Sequence, residues 1–206
     1  MDFCSIGPKC HSAKLLQYIG KKKESYPFDW IYSHLEMINH CIKDEFNTFM
    51  DRRHYLNHDT LSKMQTHTYY YPNTITMFNH HNPLAKDDND FFKRCISRFQ
   101  ALLKSDKPKI FLYFAEFSSE IQNTIREFNI QFTGFTKNYK LLVILYRKGK
   151  THTLAVEYYK NITMINITVL SKTDGVKFEN EVDNIFINKT LLDYSNAAFP
   201  VKFYTI

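Results

Sequence analysis

The chain is short of the residues that interrupt regular structure: 206 residues hold 5 Gly and 6 Pro, and no stretch is rich in Ser or Gln. No linker divides it and no repeat recurs at a solenoid or propeller period, so residues 1–206 read as a single domain with room for one sizeable core. It also lacks any run of 18 apolar residues, which argues against a membrane-spanning helix. Its opening Met1-Asp2-Phe3-Cys4 has no basic segment leading into an apolar one. A cytoplasmic protein with no membrane partner is the expectation.

Cysteine is scarce too. Cys4, Cys10, Cys41 and Cys95 are spaced too widely for a zinc knuckle or a redox pair, and in a reducing compartment they stay thiols, so no metal site is expected. His-Glu-x-x-His, Gly-x-Gly-x-x-Gly, Walker and Gly-x-Ser-x-Gly patterns are all missing, and with them the local signatures of zinc-protease, nucleotide and serine-hydrolase chemistry. No cofactor is implied. Asn161, Asn166 and Asn188 head glycosylation triplets of the kind an Asn- and Thr-rich composition produces by chance, and they carry no function here.

What the chain does have is a folded protein's balance, 44% hydrophobic and 23% charged, with an unusual 16% of aromatic residues. A formal charge of +6 favours acidic partners. The densest basic run, Lys21-Lys22-Lys23, is short and has no nucleic-acid-binding motif beside it, so it reads as a solvated loop and a nucleic-acid partner is not expected.

Periodicity gives the architecture. Asp2 to Ile6 reads as a short buried strand stopped by Gly7-Pro8, and Cys10 to Ile19 follows with helical spacing. His34 to Met50 is expected to be one helix, Thr74 to Phe78 a strand, and Asp90 to Leu103 a third helix. Lys109 to Ala115 has the apolar continuity of a strand buried on both faces. A helix capped by Ser118-Ser119 runs on to Asn129, before a strand from Leu141 to Tyr146, an order that predicts a crossover between parallel strands. Thr153 to Tyr159 and Thr163 to Leu170 read as an antiparallel pair, while Phe178 to Ile187 fits strand or helix equally. The expected fold is α/β: a mostly parallel, Rossmann-like central sheet flanked by helices, with a C-terminal antiparallel extension.

One place has the makings of chemistry. A cysteine at the start of a helix meets unpaired backbone N–H groups and the positive end of the helix dipole, both of which favour a thiolate, and Lys9 and His11 would add positive charge at Cys10. The bland alternative is an inert small core residue. Arg94 and Arg98, four apart on one helical face, are positioned to converge on a phosphate or carboxylate, or else to bridge Asp87, Asp88 or Asp90 at the surface.

Ser5-Ile6-Gly7-Pro8-Lys9-Cys10 followed by Ser25-Tyr26-Pro27-Phe28-Asp29-Trp30-Ile31 resembles the paired signature of the putative papain-like cysteine peptidases, a family of bacteria and large DNA viruses. Phe78-Asn79-His80-His81, the basic helix Phe92 to Phe99 and the strand Ile110 to Phe114 extend the resemblance over roughly residues 3 to 146. It implies a hydrolase acting on a peptide or amide, in the cytoplasm or, for a viral protein, the virion. Cys10 would be the nucleophile, His81 or His80 the base and Asp29 the group that orients it; Trp30, Arg94 and Arg98 are candidate ligand contacts, the two arginines favouring an anionic ligand. It also raises an α+β papain-like layout as the alternative fold. Asp29 suits a structural turn as well as a triad. Two other functions stay open: a ligand-binding module for a phosphorylated or sugar-nucleotide ligand, and an inactive interaction protein.

Overall fold

A computed structural model of the chain describes residues 1–57, 65–72 and 76–196. Five strands form the central sheet: β1 (Asp2–Ser5), β4 (Lys109–Glu116), β5 (Tyr139–Lys148), β6 (Thr153–Tyr159) and β7 (Ile162–Val169), in the order β1-β4-β5-β7-β6. Short β2 (Tyr55–Asn57) and β3 (Gln65–His67) pair separately. β1, β4, β5 and β7 are mutually parallel, with Phe3 opposite Ile110, Leu112 opposite Leu142 and Ile144 opposite Ile165. Only β6 is antiparallel, on the outer edge of β7. The fold is thus the α/β arrangement expected, with a mostly parallel sheet and an antiparallel extension.

Alternation along β4 and β5 divides the interior in two. Phe111, Tyr113, Leu141 and Val143 face one way, and α2 (Leu35–Lys43), α4 (Lys86–Lys104) and α5 (Ile121–Phe132) cover them through Ile38, Phe99, Ile125 and Phe128. Ile110, Leu112, Phe114, Leu142 and Ile144 face the other way, under α1 (Cys10–Tyr18) and α6 (Glu181–Asn196), which contribute Leu15, Leu16, Ile187 and Leu191. A strand whose two faces are both buried has no polar alternation to show, which is why β4 reads as an unbroken apolar run.

Three local expectations are refined. The helix foreseen over 34–50 breaks into α2 and a single turn, α3 (Asn47–Met50), because Glu45 and Phe46 take positive φ values of 56° and 65°. Asp44 stabilises that break by accepting the N–H groups of Phe46 and Thr48. The Thr74–Phe78 strand begins at residues outside the described ones, and its described end, Phe78, bridges to Ile31 and Gln65. In the ambiguous 178–187 stretch, Phe178 bridges to Thr173 and the helix starts at Glu181. Among the described residues, no helix is long and apolar enough to cross a membrane.

The connection after β1 matters most for function. Gly7 has φ +92°, and a Cβ there would fall 2.0 Å from Ser33 Oγ, so glycine is required on both counts. Its carbonyl accepts from Ser12 Oγ and from the Phe114 N–H, the latter at 3.3 Å, which ties the turn to α1 and β4 together. The Pro8 carbonyl accepts from Ser33 N at 3.0 Å. The chain is therefore held on all sides where it delivers Cys10.

Candidate functional site

Cys10 is the first residue of α1, and the preceding Lys9 provides no side-chain cap. Cys10 lines a cavity of about 260 Å³ together with Lys9, Tyr32, Asn79, His80 and Asp174. His80 arrives there because the segment leading to it is stitched to the one after Trp30: Ile31 bridges Phe78, and Tyr32 N donates to the Met77 carbonyl at 2.9 Å. Cys10 and His80 share this cavity rather than a hydrogen bond.

The other proposed catalytic and ligand-contact residues, His81, Asp29, Trp30, Arg94 and Arg98, do not line this cavity. His81 is engaged elsewhere: its Nδ1 is 2.8 Å from Asp88 Oδ1, and its ring stacks on Phe91 at 4.4 Å between centroids. Asp29 is fully buried, where it accepts from Ser5 Oγ, Lys22 Nζ and, at 2.7 Å, Tyr26 N. Burial is the largest influence on its carboxyl and raises the pKa, against the opposing pull of Lys22, Ser5 and Tyr26. Trp30 packs its ring near Lys22 Nζ, 5.7 Å away. Arg94 is exposed. Arg98 borders a separate depression with Gln17, Lys23 and Ser25, its Nε 4.0 Å from Glu24.

Electrostatics at Cys10 run against the helix-dipole expectation. Only 8% of the residue is exposed, and burial, followed in the raising direction by the charge of Asp29, pushes the thiol up to about 11. Desolvation of an anion outweighs one helix terminus here, so the resting group is a protonated thiol. His11 behaves likewise. It is 2% exposed and its pKa falls to about 4, again mainly through burial, so it is a neutral imidazole and adds no positive charge.

The residue that sequence reasoning missed is Asp174. It lies 164 positions from Cys10, in a Thr173-Asp174-Gly175 turn whose composition marks a loop but gives no hint of where the loop lands. Asp174 Oδ1 accepts from Val176 N and Lys177 N, both at 2.8 Å, and those bonds hold its carboxyl below the ordinary value. The loop is pinned to α1 by Thr173 Oγ1, 3.1 Å from His11 Nδ1. Cys10, His80 and Asp174, from three distant parts of the chain, thus line one cavity. Among the described residues, no group of His, Cys, Asp and Glu side chains is arranged to hold a metal ion.

Comparison with known proteins gives two matches. The model of the family described as "Putative papain-like cysteine peptidase (DUF1796)" matches residues 1–149. An uncharacterized protein of Acanthamoeba polyphaga mimivirus is 34% identical over 134 aligned residues, which cover 53% of this chain and 60% of that protein's length. No solved structure matches. The family match ends before Asp174, so the loop that closes the Cys10 cavity lies outside it.

Proposed function

Because the chain belongs to the putative papain-like cysteine peptidase family, we propose that it is a cysteine-dependent hydrolase of peptide or amide bonds, with Cys10 as nucleophile and His80 as general base. The observation that carries this is their convergence on one cavity at the carboxyl end of a parallel strand, where α/β sheets bind their ligands. Asp174, in the same cavity, has the charge to favour the imidazolium that forms. Asp29, the acid implied by the resemblance, has the role of a buried structural clamp.

The raised thiol pKa dictates the order of proton movements. A resting thiolate–imidazolium pair is unfavourable, so the proton leaves Sγ for His80 as sulfur attacks the carbonyl carbon. The start of α1, where Lys9 provides no side-chain cap, would offer backbone N–H groups to the developing oxyanion. His80 then returns the proton to the leaving amine as the C–N bond breaks, and water hydrolyses the thioester with His80 again as base.

Alkylation by iodoacetamide, read peptide by peptide over a pH series, tests the reading. The Cys10 rate should climb about tenfold per pH unit up to about 11, ahead of the fully buried Cys4 and Cys41. With a peptide aldehyde, the thiohemiacetal should form on Cys10, and His80→Ala should slow its formation by about 10² or more. An unchanged rate in His80→Ala would remove the base. A ligand-binding module without hydrolysis is favoured by the same raised thiol pKa, and it predicts no adduct at all.

A further inference from the structure

A second cavity, of about 250 Å³, adjoins the first, and the two share Lys9 and Gly175 in their walls. It occupies a particular place in the topology. The helix after β1 packs on one face of the sheet and the helix after β4 packs on the other, so the loops following these two neighbouring strands diverge and leave a crevice between them. Crevices of this kind are the ligand sites of open α/β sheets. This one is walled by Phe114, Ala115, Ile121 and Tyr146, with His11, Thr173, Lys9 and Glu116 as polar groups in its lining.

His11 is chemically incomplete. Thr173 Oγ1 lies 2.9 Å from the Lys177 carbonyl, which can only accept, so the hydroxyl proton is directed there. The same oxygen accepts from Gly175 N at 3.1 Å, and its remaining lone pair faces His11 Nδ1. That assigns the imidazole proton to Nδ1. Nε2 is left as a bare acceptor, buried and without a partner in a ring that is 2% exposed. A buried acceptor left unpaired bears an unrecovered desolvation cost, which a donor delivered by a ligand would offset.

We propose that this second cavity is a recognition pocket for an aromatic side chain carrying a hydrogen-bond donor, tyrosine above all, next to the bond presented to Cys10. The volume falls below the roughly 300–1,000 Å³ of small-molecule sites, which favours one side chain over a nucleotide. Phe114 and Tyr146, stacked at 4.9 Å, supply an aromatic wall, and His11 supplies the acceptor that distinguishes tyrosine from phenylalanine. The role beside the cleaved bond rests on the hydrolase reading, whereas the binding preference does not.

Calorimetric titration of the full chain carrying Cys10→Ser with N-acetyl amides of Tyr, Phe, Leu and Asp is the test. Tyrosine should bind about tenfold more tightly than phenylalanine, the value of one recovered hydrogen bond, and the aspartate compound should not bind measurably. Ile121→Trp, which adds bulk at the wall of the cavity, should abolish binding, and His11→Phe should bring tyrosine down to phenylalanine. Should His11→Phe fail to fold, the Nε2 resonance of His11 in the Cys10→Ser protein gives the same answer, since tyrosine should shift it and phenylalanine should not. Equal affinities for tyrosine and phenylalanine, or binding unaffected by Ile121→Trp, overturn the proposal. Tyrosine binding in a protein whose Cys10 forms no aldehyde adduct keeps the pocket and removes only the hydrolase.

Discussion

Around the end of β1 the chain builds two polar clusters, one centred on Asp29 and one on Cys10, and they differ in how their hydrogen-bonding capacity is used. Asp29 Oδ1 receives Ser5, and Oδ2 receives Lys22 and Tyr26, and the aspartate itself is fully buried. Nothing is left to bind anything else. In the other cluster Cys10 and His80 line a shared space, and His11 Nε2, in the adjoining cavity's wall, has no partner. A saturated cluster fixes the backbone, whereas a cluster with unspent donors and acceptors has something to offer a substrate. The first exists so that the second can be held still: the clamp fastens the 26–29 turn to β1, and the segment just after it carries Ile31 and Tyr32, which position the approach to His80.

The sharpest way to break that contrast is to remove each centre in turn. Asp29→Ala leaves the Lys22 ammonium buried without its counter-ion, and losing one partner of a buried pair costs about 3–5 kcal/mol. Cys10→Ser alters one atom at a cavity wall and should cost under about 1 kcal/mol. Urea unfolding midpoints compare them directly. Equal losses would mean that Asp29 is no more structural than Cys10.

Acid provides a second contrast, because the imidazole of His11 belongs to the unsaturated region and is held neutral by burial. Its pKa is about 4 in the folded protein against about 6.5 unfolded. Below the unfolded value the unfolded state binds the proton and the folded state does not, so stability is intact above about pH 6.5 and is lost as pH falls through about 4. The loss approaches about 3 kcal/mol as an upper bound. His67, also buried with a pKa near 4, follows the same rule. Replacing His11 with Gln should therefore remove about half of the acid-induced loss between pH 6.5 and 4, and an unchanged pH profile would show that burial does not hold this ring neutral.

The sheet was legible in the sequence because burial on two faces leaves a plain signature: the apolar runs of β4 and β5 and the helix between them imply a parallel crossover with no knowledge of contacts. Cys10 was legible for a local reason, since a strand, a Gly-Pro turn and a helix start are adjacent in the chain. The residues that share its cavity were not. That His80 lines this cavity and His81 does not goes with Asp88, which draws His81 to the first turn of α4, and no spacing rule reports that. Asp174 depends on where a loop after β7 lands, and His11 becomes notable only once Thr173 takes up its Nδ1. Burial misled in one respect: the dipole argument for a thiolate at Cys10 is sound for an exposed helix start, and it fails where desolvation dominates.

The smallest expected effect concerns the two arginines, which should belong to neither cluster. Arg94 is exposed, and Arg98 forms with Glu24 a surface pair at 4.0 Å, of a kind worth about 0–1 kcal/mol. The side-chain charge that acts on the Cys10 thiol is that of Asp29, and the depression beside Arg98 shares no lining residue with either cavity described above. Arg94→Ala and Arg98→Ala should each leave stability within about 0.5 kcal/mol of the parent and leave the Cys10 alkylation profile in place. Inorganic phosphate sharpens the point, since it carries the charge these side chains are suited to bind. If phosphate protects the protein against urea and that protection vanishes in Arg98→Ala, the arginines form a third, anion-binding cluster on the face away from Cys10. If the Cys10 alkylation midpoint moves in either variant, the arginines act on the thiol after all, and the separation between a structural clamp and an open site no longer describes this end of the sheet.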